Sequence, residues 1–174
     1  MLPPLTEPAS SRIFTRDMSP RQATQIFRRQ SDLIRQGWSR RKAQANRRTT
    51  RANAFTEAPD DWMIRCTYRL IRSMIDRGHT SVLDAEIVRL GIGEQGPHSI
   101  ADQPFKKALA LMFGSTRPGG ELMTRNRRMW LGNAMAYAAA HVVPSKYVNG
   151  FVKQAGLKAS GPKLAANYRE PGFE

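Results

Sequence analysis

Apolar residues recur every three or four positions along most of the chain, which is the spacing of one buried face of an α-helix. The clearest example runs from 62 to 77 and is followed by Gly78. Its inward positions are Trp62, Met63, Cys66, Leu70, Ile71, Met74 and Ile75. Shorter helices of the same kind are predicted at 83–90, 102–113 and 145–156. The pattern therefore predicts a mainly α protein with a compact helical bundle.

A further amphipathic helix is predicted ahead of this bundle. Ser19 and Gln22 have the spacing of a capping box, and Pro20 suits the first helical position. One apolar stripe follows, and it is formed by Ala23, Ile26, Phe27, Leu33 and Ile34. Gly37 is predicted to end the helix, because glycine is the usual residue just beyond a helix end.

Residues 39–53 differ from the preceding helix, because they contain strong helix formers but almost no apolar face. Such a segment is helical only when something else stabilises it. We expect Ser39 to cap it, and we expect the segment to order on a polyanion. Trp38, just before it, either anchors the segment to the body or stacks on a base, and anchoring is the more common role.

Two structures are compatible with residues 121–141. Many good helix formers, among them Met129, Leu131 and Met135, favour a single helix. The alternative is a hairpin at 121–131, which Gly132 would follow naturally while weakening a helix. We predict the helix, because Val, Ile and Thr are scarce in this stretch.

With the hairpin, the order of elements resembles that of a winged helix-turn-helix: helix 62–77, a short extended 80–82, helices 83–90 and 102–113, then a wing. The resemblance implies that Lys106 and Lys107 lie on the recognition helix and that Arg125, Arg127 and Arg128 lie at the tip of the wing. The alternative is a plain helical bundle. The predicted fold is therefore mainly α, a compact helical bundle with a winged-helix-like core as one variant, preceded by a basic helical arm.

These elements divide the chain into four parts. Prolines at 3, 4 and 8 predict an extended leader at 1–18, because proline breaks helices. A basic helical arm follows at 19–55, then a helical core domain at 56–156. Gly-Pro and Pro-Gly pairs at 161–162 and 171–172 predict a tail at 157–174.

Basic residues outnumber acidic ones most strongly in the first third of the chain. The segment 12–55 has 12 basic and two acidic residues, whereas 56–120 has eight of each. The whole chain carries a formal net charge of +14. A surplus of this size favours contact with nucleic acid, an acidic protein or an anionic membrane surface.

The sequence offers little catalytic chemistry. The three histidines are far apart and have no metal-ligand spacing, and the single cysteine, Cys66, falls on a buried helix face. The acidic residues are scattered, since Asp60 and Asp61 suit a helix cap while Asp84 and Glu86 fall on an exposed helix face. We therefore expect no enzymatic activity, no metal and no cofactor. No stretch reaches the ~18 apolar residues that span a bilayer, so an intracellular location, cytoplasmic or nucleoid-associated, or within a virion, is expected.

The binding signals are stronger. The predicted nucleic-acid contacts are Arg40, Arg41, Lys42, Arg47, Arg48, Arg51, Arg125, Arg127 and Arg128. We predict non-catalytic binding to the phosphate backbone, and the winged-helix order favours DNA over RNA. The alternative is a structural component of a virion or ribonucleoprotein particle whose termini order on assembly. The stripe of Ile26, Phe27, Leu33 and Ile34 is predicted to dock this helix either on the body of the protein or on a partner, which includes self-association.

Overall fold

The computed structural model of the protein describes residues 13–47, 57–92, 103–115 and 120–172, and these ranges contain helices and no strand. The mainly α prediction is therefore confirmed. The helices are α1 (Pro20–Arg47), α2 (Pro59–Arg77), α3 (Ser81–Leu90), α4 (Pro104–Phe113), α5 (Arg125–Ala140), α6 (Val148–Ala155) and α7 (Ser160–Ala165), with a short 3-10 helix at Ser145–Tyr147. None of the described helices is both long and apolar enough to cross a bilayer.

The first helix is part of the core. Phe27, Ile34 and Trp38 are at most 3% exposed, and α1 packs along α2 and also contacts α3 and α4. Leu33 is the exception in the predicted stripe, because it is 44% exposed while its neighbour Ile34 points inward. Docking of this stripe on the body is therefore confirmed for Phe27 and Ile34, and because the bundle covers them they are closed to a protein partner.

The predicted end of this helix at Gly37 is wrong, and so is the restart at Ser39. α1 continues without a break to Arg47 because Gly37 serves close packing and does not end the helix. A Cβ atom at Gly37 would lie 2.3 Å from Cη2 of Trp62 on α2. The capping box is confirmed, since the Ser19 backbone N–H donates to Gln22 Oε1 at 3.0 Å and the Gln22 N–H donates to Ser19 Oγ at 3.3 Å.

The helix predicted at 121–141 is confirmed from Arg125 to Ala140, and the hairpin alternative is wrong. Gly132 lies inside α5, where α4 approaches so closely that a Cβ atom would be 2.6 Å from Cγ of Lys106. The wing of the winged-helix resemblance is absent, because 125–128 form the first turn of α5. Lys107, expected on a recognition helix, pairs its ammonium with Asp84 on α3.

Two predictions about α2 and α3 also need correction. Asp60 and Asp61 are not caps, since α2 begins at Pro59 and both carboxylates lie in its first turn, at the positive end of the helix dipole. Glu86 was predicted to be exposed but is buried. Glu86 turns inward because it accepts hydrogen bonds from Arg28 on α1 and from Arg89 on its own helix.

The segments predicted as leader and tail both pack on the bundle over their described parts. Phe14 is fully buried, and its backbone N–H donates to Ser73 Oγ at 3.3 Å. At the other end, α7 lies against α5. The hydroxyl of Tyr137 donates to the Glu170 carboxylate at 3.2 Å. Residues 157–172 therefore contribute to the folded body, whereas 1–12 lie outside the described residues.

The end of α5 contains a strained residue. Val142 has φ 53, and its N–H donates to the Ala139 carbonyl while the N–H of Val143 donates to the Ala138 carbonyl. This is the Schellman pattern, in which glycine normally occupies the left-handed position. α2 and α3 end in the same pattern with Gly78 and Gly91. A β-branched residue in this conformation is costly, and Val142 regains little from packing because it is 72% exposed.

Candidate nucleic-acid interface

Asp60 is the point at which the two predicted basic segments come together. Trp38 on α1 donates its indole N–H to Asp60 Oδ1 at 2.8 Å, and Arg127 on α5 donates Nη2–H to Asp60 Oδ2 at 2.5 Å. Lys42, one turn beyond Trp38, lies close enough to act on the same carboxylate electrostatically. The end of α1, the start of α2 and the start of α5 therefore form one surface.

Burial alone would raise the pKa of Asp60. The hydrogen bonds from Trp38 and Arg127, with the charges of Arg127 and Lys42, outweigh that effect and leave its pKa below the ordinary value. Asp60 is therefore a carboxylate at neutral pH. Its single negative charge is shared among several cations, so the surface around it stays positive.

Two of the predicted cations lie over buried indole rings. The Lys42 ammonium is 3.5 Å from the centroid of a Trp38 ring, and the Arg41 guanidinium carbon is 4.6 Å from that of a Trp62 ring. Trp38 and Trp62 are only 2% and 3% exposed. These cation–π contacts stabilise 38–42 as helix although the segment lacks an apolar stripe, because each cation gains attraction from the ring face while keeping its charge. Anchoring is thus the role the structure gives to Trp38.

Two buried hydrogen-bond donors lack an acceptor where the end of α1 meets the start of α2. The buried atoms Arg41 Nε and Trp62 Nε1 have no hydrogen-bond partner in the described part of the chain. A buried donor without an acceptor costs about 1–3 kcal/mol.

The remaining predicted cations of the N-terminal arm are Arg40, Arg47, Arg48 and Arg51. Arg40 is exposed and forms no ion pair with any described residue. Arg47 is the last residue of the helix. Arg48 and Arg51 lie outside the described residues. Among the predicted residues of this segment, Arg40 is therefore the cation whose availability to a ligand the structure supports most directly.

The basic residues at the start of α5 are partly used within the protein. Arg127 pairs with Asp60, and Arg128 donates to the carbonyls of Phe113 and Met123. Arg128 also lies 3.7 Å from Glu121, so it links the first turn of α5 to the segment just before this helix. Arg125 is exposed in the first helical turn.

The start of α5 carries positive charge without a compensating acid in its first turn. Its first turn has no acidic residue, and Thr124 makes no side-chain capping hydrogen bond. Arginines beside the positive end of a helix dipole repel it, whereas an anion there is attracted by both the arginines and the dipole. Such an end, beside the cations of α1, suits a phosphate.

Other possible sites are limited. Among the described residues, no three His, Cys, Asp or Glu side chains lie close enough together to bind a metal ion. A cavity of about 230 Å³ lies between α2 and the turn after α5, with Arg72 and Val142 in its wall. Arg72 donates to the Ala139 carbonyl at 3.1 Å and pairs with Asp76. The cavity is smaller than the ~300 Å³ at which ligand pockets usually begin.

Sequence reasoning missed the role of Asp60 and of Trp62. Both were assigned local roles within one helix, as a cap and as an apolar position. The only signal for a longer-range role was the excess of cations on both sides of α2. Comparison with known proteins finds no matching family model, no matching curated protein and no matching solved structure.

Proposed function

We propose that the protein binds nucleic acid through the phosphate backbone, at the surface formed by the end of α1 and the start of α5. The observation that supports this most directly is the convergence of cations from both helices around a single carboxylate, Asp60. Phosphate contacts of this kind give affinity without reading sequence. The hairpin on which a preference for DNA rested is not formed, so the proposal covers DNA and RNA alike.

Point substitutions in the full chain are the appropriate test, because removing α1 would also remove the buried side chains of Phe27 and Trp38 from the core. The variants are Arg40→Gln with Lys42→Gln, and Arg125→Gln separately. Arg77→Gln is the matched control, since Arg77 is exposed at the far end of α2, about 26 Å along that helix from Asp60.

The measurement is fluorescence anisotropy of a labelled oligonucleotide in a salt series from about 50 to 200 mM. We expect the slope of log K against log salt to fall by about 0.9 for each duplex phosphate that a variant no longer neutralises. Arg40→Gln/Lys42→Gln and Arg125→Gln should both lower it, and Arg77→Gln should leave it unchanged. The proposal would be overturned if the binding constant did not depend on salt concentration, or if all variants gave the same slope. Stable oligomers that persist in high salt without nucleic acid would favour the assembly component instead.

A further inference from the structure

The outward side of α1 carries a row of arginines that includes the predicted Arg40 and Arg47 and adds Arg29 to them. Arg21, Arg29 and Arg40 are exposed, and none of them forms an ion pair with a described residue. Arg29, Arg40 and Arg47 are separated by about three and then about two helical turns, so their Cα atoms lie on one side of the helix. The row from 29 to 47 is about 27 Å long at 1.5 Å per residue.

The other arginines of this helix are engaged within the protein. Arg28 binds Glu86 at 2.6 Å, and Arg35 pairs with Asp32. Paired and unpaired arginines differ in their direction from the helix axis. Arg28 turns toward α3, whereas Arg29, the next residue, turns outward. The internal folding requirements of α1 therefore account for Arg28 and Arg35 but not for the outward row.

The aromatic rings at the end of α1 and the start of α2 are closed to a ligand. Trp38 and Trp62 are almost completely buried, and Lys42 and Arg41 cover their faces. Trp38 is also fixed by its hydrogen bond to Asp60, and Trp62 by its contact with Gly37. Proteins that bind single strands usually stack bases on exposed aromatic rings, which contributes about 1–3 kcal/mol per base. Among the described residues of α1 and α2, a ligand therefore meets cations but no exposed aromatic ring.

We infer that the ligand class of this surface is double-stranded nucleic acid, lying along α1 and contacted by Arg29 as well as by Arg40. The inference rests on the proposed function. A duplex carries about one charge per 1.7 Å of axis and stays stiff over the length of the row, so a continuous helix with a row of cations can meet several phosphates at once. A single strand would gain only the charge contacts along α1, since the described part of that helix exposes no aromatic ring on which its bases could stack.

The test compares a labelled duplex with a single strand of the same length, each titrated with the full-length protein in a salt series. We expect the duplex to bind at least about tenfold more tightly, because the absence of one or more stacking interactions is worth that factor. Arg29→Gln should lower the duplex salt slope by about 0.9. Arg35→Gln on the same helix is the matched control and should change it little, because that guanidinium is paired with Asp32.

The outcomes separate the two proposals. If neither ligand binds in a salt-dependent manner, the proposed function itself fails. If both bind equally well, or Arg29→Gln has no effect while Arg40→Gln does, the proposed function stands and the duplex inference is wrong. The duplex inference would also be overturned if the single strand quenched tryptophan fluorescence in wild type and Trp38→Phe reduced this quenching. Such quenching would indicate stacking on a ring that the structure buries.

Discussion

Replacing Glu86 by Gln tests whether a buried charge fastens α3 to α1. The Glu86 side chain is 5% exposed and accepts four hydrogen bonds, two from Arg28 at 2.6 and 2.9 Å and two from Arg89 at 2.9 and 3.0 Å. The hydrogen bonds from Arg28 lower the pKa of Glu86 most; burial opposes them, and Arg89 adds to them, so the pKa falls from 4.5 to about 2.

The contribution of Glu86 to the free energy of unfolding follows from that pKa. A group whose pKa is lower in the folded state stabilises the fold above its unfolded pKa, and this stabilisation is lost as pH falls toward the folded value. The difference between 4.5 and about 2 corresponds to about 3 kcal/mol. The full contribution is therefore present at pH 7, and by linkage less than half of it remains at about pH 3.

The assay is urea unfolding of wild type and Glu86→Gln at several pH values. We expect the variant to be less stable by about 2–3 kcal/mol at neutral pH, with the gap closing on acidification. Asp84→Asn is the control on the same helix, since the Asp84 side chain is 58% exposed and its pair with Lys107 should contribute no more than about 1 kcal/mol. A gap of the same size at pH 3 and pH 7 would refute the reasoning, because the loss would then come from shape and not from charge.

The remaining predictions concern two backbone positions. Gly37→Ala should destabilise the protein by about 1–3 kcal/mol despite the better helix propensity of alanine, because the methyl group would overlap the Trp62 ring; Gly150→Ala, in a helix with nothing near the added Cβ atom, should be neutral or stabilising. A gain from Gly37→Ala in urea unfolding would contradict the packing argument. Val142→Gly should stabilise by about 1 kcal/mol and raise the Tm by about 2–4 °C in calorimetry, because glycine adopts the left-handed conformation without strain. A lower Tm would indicate that the exposed valine side chain has a stabilising contact.

Much of the helical pattern could be predicted because helical spacing depends on local residue order. The faces of α2 and α4 and the capping box of α1 follow from neighbours a few positions apart. Glycine was the main source of error, since the same residue ends α2 at Gly78 but permits close helix packing at Gly37 and Gly132. Sequence alone does not separate these two uses, because the second depends on a partner that is distant in the chain.

The candidate site was predictable as a set of cations but not as a surface. Charge counting found Arg40 and Lys42 as well as Arg127. It could not reveal that Arg127 meets the carboxylate that also binds Trp38, because the three residues lie on different helices. For the same reason Glu86 was assigned to the wrong side of its helix, since the partner that draws it inward, Arg28, is 58 residues away.

The continuity of α1 through Gly37 has a consequence for the thermodynamics of association. Residues 39–47 were expected to gain their structure from a ligand, but in the folded protein they already extend a helix whose earlier turns are packed in the core. A segment that folds on binding gives a large negative heat capacity change and an unfavourable ordering entropy. A preformed helix end gives neither, so association at this surface should be governed by the release of counterions and should retain a small heat capacity change.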